Sequence, residues 1–114
     1  MARVTNTRTK AVGPWPTDGV VVTMTAADVT NKQQTPCTGR EIIIAQNTGV
    51  SARTVTINSV AVNGRSGDIT ADSLAAGAIV IYGPFDRRGF KQVDGNIYFE
   101  ASHAEVKFGV VELP

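Results

Sequence analysis

Thirty-six of the 114 residues branch at Cβ (15 Val, 8 Ile and 13 Thr), against only 2 Leu and 2 Met. Such side chains are stiff in a helix but pack well on a pleated surface. Helices draw on the opposite mixture. The chain therefore reads as all-β. At 42% hydrophobic, a chain of this length can bury roughly two-thirds of its unfolded surface, which argues for one folded domain and against disorder. No apolar stretch approaches the ~20 residues of a membrane-spanning helix. The opening MARVTNTRTK puts polar residues where a secretion signal is apolar, so the expectation is a soluble protein used in a cell or in a particle assembled there.

Turn signals recur about every ten residues and cut the chain into short segments. Residues 1–17 carry Arg3, Arg8 and Lys10 with no acidic residue, and Gly13-Pro14-Trp15-Pro16 suits neither helix nor central strand. They are expected to form an extended arm before one domain, residues 18–114. Trp15, held between two prolines, offers a large apolar face at small entropic cost, which suits a tether. The alternative is a frayed terminus.

Strands are expected at residues 20–24, 40–46, 53–58, 69–70, 78–82 and 104–111, with a hairpin joining residues 90–93 to 96–101 through Asp94-Gly95. One helical turn is expected after Thr25, and polar loop over residues 31–38. About eight strands make an antiparallel sandwich, jelly-roll-like in its count, with an extended N-terminal arm. The segments around Ile42 to Ile44 and Ala78 to Tyr82 are apolar on both faces. They are either central in packed sheets or exposed for another subunit to cover.

Candidate chemistry is sparse. His103 sits at a turn, without a nucleophile and an orienting acid visibly converging on it. The lone Cys37 has no partner for a disulfide or a cysteine zinc site and no adjacent cation to activate it. Asp68 and Asp72 lack the alternating ligands of a calcium loop. Phosphate-loop, dinucleotide and zinc-protease motifs are missing from the sequence. The expectation is no enzyme, no metal and no cofactor. Phe85-Asp86-Arg87-Arg88-Gly89-Phe90 places an arginine pair between two aromatic residues, a composition found at protein interfaces and single-stranded nucleic-acid sites. A net charge of +1 disfavours nucleic acid. The plainer reading makes both phenylalanines core residues bracketing a solvated loop.

The succession Arg53-Thr54-Val55-Thr56-Ile57, Gly67-Asp68-Ile69-Thr70, Leu74-Ala75-Ala76-Gly77, Gly83-Pro84-Phe85, Asp94-Gly95-Asn96-Ile97-Tyr98-Phe99-Glu100-Ala101 and Val106-Lys107-Phe108 resembles small virion proteins of tailed bacteriophages. The nearest class is the capsid decoration, or cement, proteins with a compact β-sandwich. The resemblance spans roughly residues 40–114, is one of overall pattern, and transfers no individual residue. It implies a structural protein on the capsid exterior that bridges major capsid protein subunits, assembled in the host cytoplasm. The partners expected are the phage major capsid protein and further copies of the chain, with no nucleic acid and no membrane. Candidate contact residues, inferred from their chemistry alone, are Arg3, Arg8, Lys10, Trp15, Phe85, Arg87, Arg88 and Phe90. Rival readings are a carbohydrate- or receptor-binding sandwich using Tyr82, Tyr98 or Trp15, and a head-tail connector or tail component.

Overall fold

The structure is a computed structural model that describes residues 3–6, 8–11, 13, 18–60 and 68–113. Two five-stranded sheets form an all-β sandwich. Eight strands come from residues 18–114: β3 (Thr25–Ala26), β4 (Gln33–Pro36), β5 (Glu41–Asn47), β6 (Arg53–Ile57), β7 (Ile69–Leu74), β8 (Ile79–Tyr82), β9 (Asn96–Ala101) and β10 (Val106–Glu112). Two more come from the N-terminal segment, β1 (Val4–Thr5) and β2 (Arg8–Lys10). The first sheet runs β1-β4-β9-β6-β7. The second runs β2-β10-β5-β8, with β3 also paired to β10. The chain changes sheet at most connections, while β6 and β7 form a hairpin within one sheet.

Alternation decides what is buried. Along β5, Glu41, Ile43, Ala45 and Asn47 face inward, while Ile42 and Ile44 are half-buried outside. In β10, Val106, Phe108 and Val110 enter the core as the sequence pattern predicts. Phe99 of β9 meets Phe108 edge-on, centroids 4.9 Å apart, and so joins the two sheets. At an open side of the sandwich the Tyr82 hydroxyl donates to Asp72 at 2.6 Å, tying β8 to β7.

The described residues of the N-terminal segment form two short strands, one in each sheet. β1 pairs parallel with β4, and β2 pairs parallel with β10. Asn6 is buried between them. These are the two parallel pairings that make otherwise antiparallel sheets mixed. The Pro14-Trp15-Pro16 element, including the expected Trp15 tether, lies outside the described residues.

Other expectations shift. Residues 20–24 form no strand: this run crosses the outer face of β10, where a Cβ on Gly109 would lie 2.5 Å from Met24 Sδ and 2.8 Å from Val22 Cγ1. The expected helical turn after Thr25 is instead β3 followed by a turn in which Asp28 accepts backbone N–H bonds from Thr30 and Asn31. The expected polar loop contains β4, whose Gln33 and Thr35 are buried. Asp94-Gly95 does turn the chain, but residues 90–93 supply no hairpin strand; β9 pairs with β4 and β6 instead. The Phe85–Phe90 loop closes into one helical turn, α1 (Arg87–Phe90).

Candidate functional site

Strand directions gather the starts of β5, β7 and β9 and the ends of β2, β4, β8 and β10 at one end of the sandwich, where α1 sits. Asp86 caps the turn, its carboxylate accepting the Arg88 N–H at 2.8 Å and pairing with the Arg88 guanidinium at 3.1 Å. The side-chain bond from Arg88, together with that backbone bond, holds the Asp86 carboxyl below its usual range. Phe85 is buried, and its ring lies 4.9 Å from that of Phe90, tilted by 58°. These two rings anchor the loop from beneath. Phe85 belongs to the core, whereas Phe90 is half-buried and packs against it.

Cations project from this end beside the exposed carboxylates Asp68, Asp86 and Asp94, which are engaged by Ser59, Arg88 and Tyr98. Lys10 ends β2 opposite Glu112, and Arg40 immediately precedes β5. The Arg87 side chain lies against Gly39, where an added Cβ would come within 3.4 Å of its Cγ. Lys91 follows α1, its Cε 3.8 Å from where a Cβ on Gly95 would stand, and Gly95 accepts the Cys37 N–H at 3.0 Å. Lys10, Arg40, Arg87 and Lys91 are all exposed. Among the described residues the carboxylate nearest Arg40 is Glu112, 4.0 Å away, and it is already bound by Arg8 at 2.8 Å.

Most cations elsewhere are spent within the chain. Arg3 donates to the Gln33 and Phe99 carbonyls and lies 4.3 Å above the Tyr98 ring. Arg8 bridges Glu41 and Glu112. Lys32 pairs with Glu100 at 3.1 Å, and Arg53 with Glu105 at 2.7 Å. Arg3 and Arg8 therefore fasten the N-terminal strands to the body rather than facing outward. Of the sequence-derived candidates, the structure places Lys10, Arg87 and Arg88 at the same end of the sandwich, exposed, and it adds Arg40 and Lys91 there. Those two escaped sequence reasoning because each sits singly beside a turn, and only the shared end of the strands joins them.

The residues weighed for catalysis are separately engaged. His103 Nδ1 accepts the Glu105 N–H in a turn. Cys37 is buried, and burial pushes its thiol up. Asp68 accepts from the Ser59 N–H and hydroxyl, whereas Asp72 accepts from Tyr82. Among the described residues, no group of three or more His, Cys, Asp or Glu stands ready to hold a metal ion. The tyrosines a sugar platform would use are also occupied: Tyr82 is buried and Tyr98 lies beneath Arg3.

Comparison with protein-family models, with curated proteins and with solved structures found no match to this chain. The class defined by the fold is an all-β sandwich.

Proposed function

We propose that the protein is a non-enzymatic virion component that binds the exterior of an assembled phage capsid and stabilises it by bridging major capsid protein subunits. The reading draws on the sequence resemblance and on one structural observation: Lys10, Arg87 and Lys91, exposed and, among the described residues, without a close carboxylate partner, stand at the α1 end with Arg40. Cations left unpaired on a rigid end favour an acidic protein surface, guiding encounter and orientation more than supplying raw affinity. The rigidity comes from below, through the Phe85–Phe90 pair and the Asp86 cap. Docking then orders little that is not already ordered.

A bridge gains its affinity by holding two subunits at once. Ligand binding to the assembled state alone stabilises that state by mass action, and many copies act on one shell. Co-sedimentation with expanded shells of the phage that encodes the chain tests this. Saturable uptake by shells with little binding to free capsid subunits supports the reading. Equal affinity for isolated subunits contradicts bridging, and binding to immobilised sugars in place of shells favours the carbohydrate reading.

A further inference from the structure

We infer that two copies of this chain pair edge to edge through β8, joining their second sheets into one continuous sheet about a two-fold axis. The inference stands apart from shell binding and rests on how the four sheet edges are treated. At one edge of the second sheet, β2 and β3 lie along β10. The first sheet ends in β1, a strand of two residues, and in β7. β7 carries Asp72, a left-handed Ala71 at φ +48° and a register shift against β6. Charges, irregularities and short length are the devices that keep edges from pairing.

β8, four residues long, is short as well, but it carries neither a charge nor an irregularity. Ile79-Val80-Ile81-Tyr82 holds no charge and no proline, and its register with β5 is unbroken. The Asn47 N–H donates to the Ala78 carbonyl. By antiparallel alternation, Val80 and Tyr82 turn their backbone groups toward β5, and Ile79 and Ile81 turn theirs away. Among the described residues, no strand pairs with that outer edge. Ile79 and Ile81 are 62% and 66% exposed, and Ile81 sits opposite half-buried Ile44 on the same outer face.

The occupant that fits is the same strand. Antiparallel self-pairing sets Ile79 against the second copy's Ile81, with Val80 facing its counterpart at the axis. The outward backbone groups of both copies are then satisfied, and an aliphatic row runs from Ile44 through Ile81 to the facing Ile79. Each copy has one such edge, so assembly closes at two. A net charge of +1 per chain opposes this little. The α1 ends then point in opposite directions, so the dimer is the form free in solution, and only one of its ends can face a given shell.

Sedimentation of the full chain between low micromolar and several hundred micromolar concentration tests this, together with amide exchange at Ile79 and Ile81. The expected result is a rise to twice the 12.0 kDa chain mass, with exchange at both amides slowing as the dimer forms. Ile81→Lys, a change at an exposed position, should hold the mass at one chain with thermal unfolding unchanged. Three results overturn the inference. One is a wild-type monomer throughout, whether its Ile79 and Ile81 amides exchange fast or are protected at every concentration. Another is a dimer that Ile81→Lys leaves intact. The third is protection of these amides that appears only when shells are added, which would assign the edge to the capsid.

Discussion

Arg8 of β2 reaches the fully buried carboxylate of Glu41 on β5, Nη1 to Oε2 2.9 Å, and through the same nitrogen holds Glu112 of the intervening β10 at 2.8 Å. Thr38 completes the Glu41 site, donating its N–H at 2.6 Å and its hydroxyl at 2.7 Å. One guanidinium thus spans three adjacent strands and fixes the N-terminal segment to the sandwich. A buried carboxylate needs such partners, since losing one leaves an uncompensated charge.

Arg8→Met should therefore destabilise the fold by about 2 kcal/mol. That is less than the loss of a fully buried partner because Arg8 is part-exposed and Thr38 remains. Lys10→Met, two residues along the same strand and exposed, should cost no more than about 0.5 kcal/mol. Urea unfolding midpoints of the two variants check the contrast, and equal midpoints would remove the clamp from the account.

The same site sets an acid limb. Burial pushes the Glu41 carboxyl up, but the Thr38 and Arg8 bonds outweigh it and leave it below the ordinary value of 4.5. A carboxyl depressed in the folded state binds its proton more readily when unfolded. Its contribution is whole above pH 4.5 and is lost as pH falls from there through the lower folded value. Wild type should lose more stability than Glu41→Gln over that interval, in unfolding midpoints measured from pH 7 to pH 3. Other carboxylates that are also held low, such as Asp28 and Asp94, act equally in both proteins and cancel in the comparison.

Gly109→Ala tests the crossing of residues 22–24 over β10. The new methyl would press on Met24 Sδ and Val22 Cγ1, an overpacking worth about 1–3 kcal/mol. Met24→Ala in the same chain should recover part of that cost, because the two positions share one contact. Additive unfolding energies across the double-mutant cycle would show that the segment does not rest there.

Much of the sandwich was legible because alternation is local. β6 and β10 announce their inward faces in Val55, Ile57, Val106, Phe108 and Val110, all of which are buried. β4 was not legible, because its buried positions are Gln33 and Thr35, which leave a polar strand looking like loop. Residues 20–24 misled in the opposite way: an apolar run read as a core strand packs over a glycine on the outside of a sheet. Parallel pairing of β1 and β2 joins positions about 30 and 100 residues apart, so no local pattern could announce it. The candidate site shows the same division. Arg87 and Arg88 stood out as a pair, whereas the engagement of Arg3 and Arg8 and the convergence of Arg40 and Lys91 on α1 depend on the register of distant strands.

Docking through the α1 end is most directly tested by lysine acetylation of the protein free and bound to shells, read residue by residue. Lys10 and Lys91 should lose most of their reactivity on binding, while Lys107, exposed near the other end of β10, should keep its own. Protection of Lys107 with Lys10 and Lys91 unchanged, or shells that take up no protein at all, would contradict the account.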